Sequence, residues 1–287
     1  MFLILIMTDT FGIYQGKITP LSEIKVSPLS RAYTFSDSIY EVIPFYKGKG
    51  FCFEEHISRF NECANRMRIK VDFSLIENEI LALSEYVKEE DQSYVYYQIS
   101  RGIDEMRSHL VRTEMVPERF GYATKITPST KPLVSMIVDD IRWKRCSIKS
   151  TSLLGNVMSM NSALDEGCDE IIFSSEDKIT EGGASNIFFS KGNEIFTPSL
   201  KENILPGVTR DFFINALRSE NISVKEQDCY VSQLDQASTV WFTSSTKGIQ
   251  PVEKIVNANY KRDTKDEVFR KASLIFSQSI EDYLSKT

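Results

Sequence analysis

Lys149 is the first of several residues whose type and setting could support chemistry. It lies in RCSIKSTSLLGNV, directly ahead of an apolar helical pattern. A lysine amine is a nucleophile only when it is deprotonated, and a desolvated site near other cations promotes this state. Lys149 is therefore either a surface lysine with apolar neighbours or an amine held ready to form a covalent bond. Its own surroundings in the sequence do not decide between the two.

A single carboxylate, Glu181, follows an apolar strand pattern and precedes two glycines in ITEGGASNIFF. Glycines let the backbone turn tightly and approach a ligand closely. The same pattern also fits a plain turn that carries an exposed glutamate.

Two further stretches could bind an anion such as phosphate. In NILPGVTRDFFINAL a Pro-Gly turn opens a predicted helix at Val208, and the free backbone N–H groups there, with the Thr209 hydroxyl, would form a phosphate seat. In WFTSSTKGIQPV an apolar strand ends in hydroxyl residues that include Ser244 and Ser245. Each stretch also fits an ordinary helix cap or turn.

The two histidines each stand close to an arginine in the sequence. His56 precedes Arg59 by three residues on a predicted helix, so both side chains share one face. His109 follows Arg107 by two residues, and in an extended segment both would point to the same side. An arginine and a histidine that converge could clamp a carboxylate. The alternative for His109 is a surface-loop histidine.

The bulk properties of the chain exclude several classes of protein. Its 287 residues carry a net charge of −6, which argues against nucleic acids or anionic membranes as partners. The five cysteines are odd in number and have no C-x-x-C spacing, as expected for reduced thiols in a cytosolic protein. Two histidines are too few to favour a zinc site. Neither G-x-G-x-x-G nor G-x-x-x-x-G-K is present, so nicotinamide and P-loop sites are not indicated.

Periodicity predicts a mixed α and β protein of two domains. The predicted domains are residues 1–122 and 135–287, with a Thr-, Lys- and Pro-containing linker at 123–134. The predicted helices are 54–67, 73–90, 153–166, 208–220, 232–237 and 265–285, and the predicted strands include 33–48, 93–102, EIIFSS, SNIFFS, EIFTP and VWFTSST. The apolar run MFLILIM is too short for a signal segment or a membrane span. It is either an additional edge strand or a sequence that precedes a true start at Met7.

The order of these residues along nearly the whole chain resembles that of the fold-type IV pyridoxal-phosphate aminotransferases (class IV). The D-amino acid aminotransferases within this family are the most similar. The motifs that carry the resemblance are SIYEV, EEHISRF, DDIRWKRCSIKSTSLLGNV, ITEGGASNIFF and ILPGVTRD. The resemblance implies a two-domain fold with pyridoxal 5′-phosphate bound between the domains, and it places the cofactor lysine in the larger C-terminal domain.

The resemblance also implies a role for each candidate residue. Lys149 would form the Schiff base with the cofactor and later move the α-proton. Glu181 would face the pyridine nitrogen and keep it protonated, so that the ring accepts electrons. The remaining cofactor contacts would be Arg59, Val208 and Thr209, Ser244 and Ser245 at the phosphate, and Leu205 beneath the ring. His56 would lie near the phosphate, in a network with Glu41.

For the substrate, the resemblance implies that Tyr40, Arg107 and His109 hold the α-carboxylate, with Arg107 and His109 reaching over from a neighbouring subunit. It therefore predicts a cytoplasmic homodimer. The predicted reaction is ping-pong transamination of D-amino acids, such as D-alanine or D-glutamate, with 2-oxo acids.

Three alternatives remain open at this stage. They are an aminotransferase for branched-chain L-amino acids or (R)-amines, a lyase of the aminodeoxychorismate type, and a cofactor-binding protein without turnover. The chain also departs from the family pattern. Gly183 and Ala184 stand where serines are usual, Ser152 replaces an asparagine, and the segment between Arg101 and Arg107 is one residue longer.

Overall fold

The computed structural model describes residues 10–111, 115–201 and 203–286. The chain divides into two compact units: Met1–Thr127 with Ile148–Ser152, and Pro128–Ser147 with Leu153–Thr287. The apolar run MFLILIM, for which two interpretations were open, lies outside the described residues.

The first unit is built on an antiparallel sheet with helices packed against it. Its described strands are β1 (Phe11–Tyr14), β2 (Lys17–Pro20), β3 (Ser38–Tyr46), β4 (Lys49–Gly50), β5 (Gln92–Ser100) and β6 (Glu118–Lys125), in the order β2-β1-β6-β5-β3-β4. Its described α-helices are α1 (Arg31–Phe35), α2 (Phe53–Met67) and α3 (Phe73–Ser84), and 3-10 turns cover Leu21–Glu23 and Glu85–Val87.

Alternation of side chains along β5 explains how this sheet buries one face. Val95, Tyr97 and Ile99 are fully buried, while the residues between them are only partly buried. Ile57 and Phe60 of α2 join these side chains in one apolar core. Because α2 is held by this face, His56 and Arg59 are also turned inward and buried.

The start of this unit differs from the prediction of strands over 33–48. Residues Arg31–Phe35 form a short helix, and β3 begins only at Ser38. The helix ends at Ser36, which has a left-handed backbone conformation with φ of 51°. The physical reason lies in tertiary contacts, because Arg31 is buried among carboxylates and a carbonyl that a strand would not reach.

A short segment that is distant in sequence completes the first unit. Residue Ile39 of β3 pairs with Ser150, and the amide of Thr151 donates to the carbonyl of Ser38 at 3.0 Å. Near Ser38 the edge of β3 that faces away from β5 is left uncovered by β4, because β4 pairs only with Phe45 and Tyr46. The segment Ile148–Ser152 therefore clusters with the first unit, whereas the sequence pattern assigned Lys149 to the C-terminal domain.

The second unit contains a larger mixed sheet. Its described strands are β7 (Leu133–Asp139), β8 (Glu170–Ser175), β9 (Lys178–Gly182), β10 (Asn186–Lys191), β11 (Glu194–Pro198), β12 (Val224–Gln227), β13 (Cys229–Tyr230), β14 (Thr239–Ser244), β15 (Gly248–Ile255) and β16 (Tyr260–Lys261). The strand order is β12-β11-β10-β14-β15-β7-β8-β9-β13, and β16 pairs with β15. The described helices are α4 (Leu154–Asp165), α5 (Val208–Ser219), α6 (Val231–Leu234) and α7 (Glu267–Lys286).

Apolar side chains from α5 and α7 cover part of this sheet. Phe213 of α5, Trp241 of β14 and Phe276 of α7 belong to one buried cluster. Phe188 of β10 stacks on Trp241 with ring centroids 5.9 Å apart. This packing fixes β10 and β14 beside α5, and the candidate cofactor contacts of this unit lie at the ends of these elements.

The helix and strand predictions agree with these bounds to within a few residues at most positions, and the mixed α/β fold class is confirmed. The predicted linker 123–134 overlaps both flanking strands, so only residues 126–132 lie outside them. Ala123 contributes to the core of the first unit, which explains why the strand continues into this polar stretch. All five cysteines are free. In the described part of the chain no helix is long and apolar enough to cross a membrane.

Candidate active site

Lys149 lies between two buried residues of the segment that pairs with β3. Ile148 and Ser150 are buried, whereas Lys149 is only partly buried. Its Nζ lies 4.4 Å from the centroid of the Tyr40 ring, and its carbonyl accepts a hydrogen bond of 3.0 Å from the Tyr40 amide. The amine is therefore held beside an aromatic face, which restricts its position. The structure brings the predicted lysine and the predicted substrate tyrosine together.

Cys63 of α2 is a contact of Lys149 that the sequence pattern did not identify. The Lys149 amide donates to the Cys63 Sγ over 3.3 Å. Burial raises the pKa of the Cys63 thiol above its ordinary value, so the group is a thiol and not a thiolate at neutral pH. Cys63 thus helps to fix the backbone of Lys149. Nothing in the one-dimensional spacing of the two residues indicated this contact.

A buried carboxylate organises Arg59 and His56. Glu41 Oε1 accepts from Arg59 Nε at 2.7 Å, and Glu41 Oε2 accepts from Arg59 Nη2 at 2.9 Å. His56 Nδ1 lies 2.8 Å from Glu41 Oε2, as the predicted network required. Burial alone would raise the pKa of Glu41, but Arg59 and His56 hold it below its ordinary value.

The charge state of His56 follows from the same contacts. Burial lowers the pKa of His56, although its hydrogen bond to Glu41 opposes the change. A neutral imidazole beside an ionised carboxylate donates from Nδ1, which leaves Nε2 as an acceptor. This Nε2 is buried and has no hydrogen-bond partner among the described residues. Arg59 is consequently the cation of the network, and the ionised Glu41 sets the direction of its guanidinium.

Arg107 and His109 meet at one aromatic ring. The Arg107 Cζ lies 4.6 Å from the centroid of Phe35, and the His109 and Phe35 ring centroids are 5.3 Å apart. Both side chains belong to exposed residues of an irregular segment. The structure thus brings the two residues to a common surface, where a guanidinium and an imidazole could bind one carboxylate.

Glu181 is buried at the end of β9, where polar groups surround its carboxylate. Arg142 Nη1 donates to Glu181 Oε1. The Leu205 amide donates to Glu181 Oε2 at 3.1 Å, and Asn186 Nδ2 approaches the same oxygen at 3.3 Å. Arg142 also donates to Asp140 Oδ2 at 2.7 Å, so one guanidinium serves two carboxylates. Arg142 was missed in the sequence, where its only signal was Asp140 two residues earlier.

The sharing of Arg142 between Asp140 and Glu181 explains why the pKa of Glu181 stays above its ordinary value. Burial raises the pKa of Glu181 to about 7, and Arg142 offsets the rise only in part. A single guanidinium cannot neutralise Asp140 and Glu181 together, so a further cationic donor near Glu181 would stabilise its ionised form.

The substitution Glu181→Gln should change how the free energy of unfolding depends on pH. Below pH 4.5 the carboxyl is protonated in both states of the chain; between pH 4.5 and 7 the unfolded chain releases the proton while the folded chain retains it. Rising pH therefore favours unfolding. Across this range the free energy of unfolding of the cofactor-free wild type should fall by about 3 kcal/mol relative to that of Glu181→Gln. Urea unfolding of both proteins at several pH values measures the difference, in which the opposing contribution of His56 cancels. A difference that is constant with pH would contradict the raised pKa.

Gly207 and Asn186 explain how the adjoining turn is fitted to Glu181. A β-carbon at Gly207 would overlap the side-chain oxygen of Asn186. Without that atom, Asn186 Nδ2 reaches the Leu205 carbonyl at 3.0 Å while remaining beside Glu181. Gly207 is also the N-cap of α5 and has no side chain to cap the first-turn amides. The amides at Val208 and Thr209 therefore form the helix-start setting in which an anion is favoured.

Ser244 and Ser245 lie where β14 turns into β15. Ser244 ends β14 and pairs with Gly248, so Ser245 lies in the connecting turn. The Ser244 hydroxyl accepts from the Lys247 amide at 3.3 Å. The predicted strand over VWFTSST thus ends two residues earlier than expected, and both serines remain at a strand end.

The departure at Gly183 has a physical explanation. A β-carbon there would overlap the sulfur of Met160 and crowd a carboxylate oxygen of Glu170. Glu170 is buried, and its Oε1 accepts from the Gly183 amide at 2.9 Å. Lys247 Nζ lies 3.7 Å from Glu170 Oε2 and partly balances this charge. The glycine thus allows a buried carboxylate to hold the turn between Glu181 and Asn186.

Each unit, taken by itself, carries groups whose chemistry complements part of pyridoxal phosphate. The first unit supplies an ordered amine at Lys149 and a charged guanidinium at Arg59. The second unit supplies a carboxylate at Glu181 that lacks full charge compensation, and an uncapped helix start at Val208. An aldehyde, a phosphate and a protonated pyridine nitrogen are the complementary groups on the cofactor. Within the described ranges, no three His, Cys, Asp or Glu side chains form a group that could hold a metal.

Comparison with known proteins agrees with this chemistry. The sequence family described as amino-transferase class IV matches residues 38–255. A D-alanine aminotransferase of Listeria monocytogenes is 30% identical over 239 residues, covering 78% of this chain and 80% of the relative. One from Staphylococcus aureus is 33% identical over 247 residues, covering 84% and 87%. The branched-chain amino acid aminotransferase of Escherichia coli has the same fold, with a TM-score of 0.85, 20% identity and 94% coverage of both chains. The chain is therefore a member of the class IV aminotransferases, a family of pyridoxal-phosphate-dependent transaminases.

Proposed function

We propose that this enzyme transfers the amino group of D-amino acids, of the D-alanine and D-glutamate type, to 2-oxo acids. The observation that carries the substrate class is the convergence of Arg107 and His109 on Phe35 at 4.6 and 5.3 Å. A guanidinium and an imidazole at one surface suit an α-carboxylate. The identity of 30 and 33% to two D-alanine aminotransferases supports the same assignment.

In the proposed mechanism the bound cofactor supplies an electron sink for the bond between the α-carbon and its hydrogen. Lys149 would hold the cofactor covalently through its Nζ and, when released by the substrate amine, would take the α-proton on Nζ and later give a proton back. Tyr40, 4.4 Å from that Nζ, orders the amine and helps to hold the substrate carboxylate. A 2-oxo acid then reverses the steps, which gives ping-pong kinetics.

The other residues bind and polarise the cofactor in this proposal. Glu181 would keep the ring nitrogen protonated. The resulting pyridinium cation would supply the positive charge that Arg142, shared between Asp140 and Glu181, cannot give to both carboxylates. The phosphate would be held by Arg59, Val208, Thr209, Ser244 and Ser245, and Leu205 would pack against the ring. The pKa of Glu41 lies below its ordinary value, so Glu41 is ionised and keeps Arg59 charged and oriented.

We expect the enzyme to act as a cytoplasmic homodimer, in which Arg107 and His109 serve the active site of the adjacent subunit. Size-exclusion chromatography with light scattering measures the assembly. Mixing an Arg107→Ala subunit with a Lys149→Ala subunit tests the shared site, because the hybrid dimer would contain one intact site. Activity of the mixture well above that of either parent would support the exchange of residues, and activity no higher than the average of the parents would contradict it.

Arg107→Ala tests the substrate class. It should lower kcat/KM for D-alanine about 100-fold, because one charge-assisted partner of the carboxylate is lost. Arg270→Ala, on an exposed side chain of α7, is the matched control and should leave kcat/KM unchanged. A wild type that accepts L-leucine and not D-alanine would instead favour a branched-chain enzyme. Pyruvate release without an oxo-acid acceptor would favour a lyase.

A further inference from the structure

We propose that Arg31 and Phe35 of α1 are positioning residues that preorganise the Arg107/His109 carboxylate clamp. This inference rests on the proposed function, because the clamp is itself part of that proposal. It adds two residues outside the clamp and assigns them a role in substrate affinity.

The first observation concerns the backbone of the clamp segment. Arg31 is 3% exposed, and its Nη1 donates to the carbonyl of Ser108 at 2.6 Å. Ser108 stands between Arg107 and His109, so this bond fixes the peptide that joins the two clamp residues. A long cationic side chain is buried only where its charge is balanced and its donors are used.

The charge of Arg31 is balanced by two carboxylates. Its Nε donates to Asp37 Oδ2 at 2.8 Å, and its Nη1 lies 3.5 Å from Asp104 Oδ2. Asp37 also receives Arg101 Nε at 2.8 Å, which connects the start of the clamp segment to the same network. These pairs hold the guanidinium in one direction, toward Ser108.

The second observation concerns the clamp side chains. The ring of Phe35 contacts Arg107 at 4.6 Å and His109 at 5.3 Å, and the Arg31 Cζ also lies 4.6 Å from its centroid. Arg107 and His109 are otherwise exposed, and a free arginine would lose rotamer freedom when it binds a carboxylate. The ring removes part of that cost in advance, through cation–π and aromatic contact.

The base of the segment is fixed independently. The Arg31 amide donates to the Gly102 carbonyl at 2.9 Å, and the Asp104 amide donates to the Leu29 carbonyl at 3.2 Å. Substitution of the Phe35 ring therefore leaves these backbone contacts in place. Its effect should be confined to the two clamp side chains.

Phe35→Leu, Phe35→Tyr and Phe73→Leu in the full-length holoenzyme test the inference. The readouts are KM and kcat for D-alanine and the competitive inhibition constant of propanoate, which has the carboxylate and lacks the amine. Phe35→Leu should raise KM and the inhibition constant by the same factor, about fivefold to tenfold, with kcat and the cofactor spectrum unchanged. Phe35→Tyr keeps the ring and should remain close to wild type.

Phe73→Leu is the matched control, since Phe73 is another partly buried ring of the first unit, in edge contact with Phe60. It should lower the melting temperature and leave both constants unchanged. Constants unchanged in Phe35→Leu, or raised equally in Phe73→Leu, would overturn the inference. If Arg107→Ala weakens D-alanine binding and Phe35→Leu does not, only the positioning role fails. If Arg107→Ala has no effect, the proposed clamp and this inference fail together.

Discussion

Replacement of Lys149 by alanine should lower kcat for D-alanine by about 10⁴-fold, the upper range for loss of a general base. The change removes the nucleophile and the base together, because one amine is assigned both roles. The backbone contacts should persist, since they use the Lys149 amide and carbonyl with Cys63 and Tyr40. A coupled assay of pyruvate formation measures the loss.

Lys144→Ala is the control for this variant, because Lys144 is exposed on the preceding stretch of the same chain. It should retain the wild-type kcat. Addition of a small primary amine such as methylamine should restore part of the activity of Lys149→Ala, since the amine can replace the missing base. A loss below about tenfold in Lys149→Ala would contradict the role of Lys149 as base and nucleophile.

Glu181→Gln should lower kcat by about 10²-fold to 10³-fold, as expected when a charged group that stabilises the reacting system is neutralised. Glutamine preserves the shape and can still accept from Leu205. It cannot supply the negative charge that we propose keeps the ring nitrogen protonated. The loss should therefore be in kcat, with a changed cofactor spectrum. The melting temperature at neutral pH should be retained or raised, because burial raises the pKa of Glu181 to about 7 and the charged form is not favoured in the folded chain.

Glu79→Gln provides a matched control for Glu181→Gln. Glu79 is a buried carboxylate of the first unit that contacts Tyr97 and Arg119. Its neutralisation should lower stability and leave kcat within about twofold of wild type, because it faces no reacting group. A kcat for Glu181→Gln equal to that of Glu79→Gln would remove Glu181 from the chemistry.

The sequence predicted elements well where burial follows a regular period. The helix predicted at 54–67 is observed as Phe53–Met67, because Ile57, Phe60 and Ala64 repeat on one face that enters the core. Strand β5 was predicted from its β-branched and aromatic residues, and the structure shows its buried side chains alternating along the strand. These patterns are local, and the packing agrees with them.

The differences arise where distant parts of the chain meet. Helix α1 replaces the start of a predicted strand because Arg31 is bound by Asp37 and by the carbonyl of Ser108. Lys149 clusters with the first unit because its segment pairs with the open end of β3. Neither contact leaves a periodic trace in the sequence.

The candidate site shows the same division. The resemblance supplied Lys149, Glu181 and the clamp residues by their order along the chain. It gave no role to Arg142, whose position depends on Asp140, Thr180 and Glu181 meeting at one guanidinium. The contact of Cys63 with the Lys149 amide is likewise visible only in three dimensions.

The visible spectrum of the purified enzyme with pyridoxal phosphate, recorded before and after addition of D-alanine, tests the central claim most directly. L-leucine is added in a parallel cuvette. We expect a yellow absorption band that fades with D-alanine, persists with L-leucine and is altered in Lys149→Ala. Fading with L-leucine alone would overturn the assignment of Arg107 and His109 to a D-amino acid clamp. The absence of any band after addition of the cofactor would contradict the roles proposed for Lys149 and Glu181.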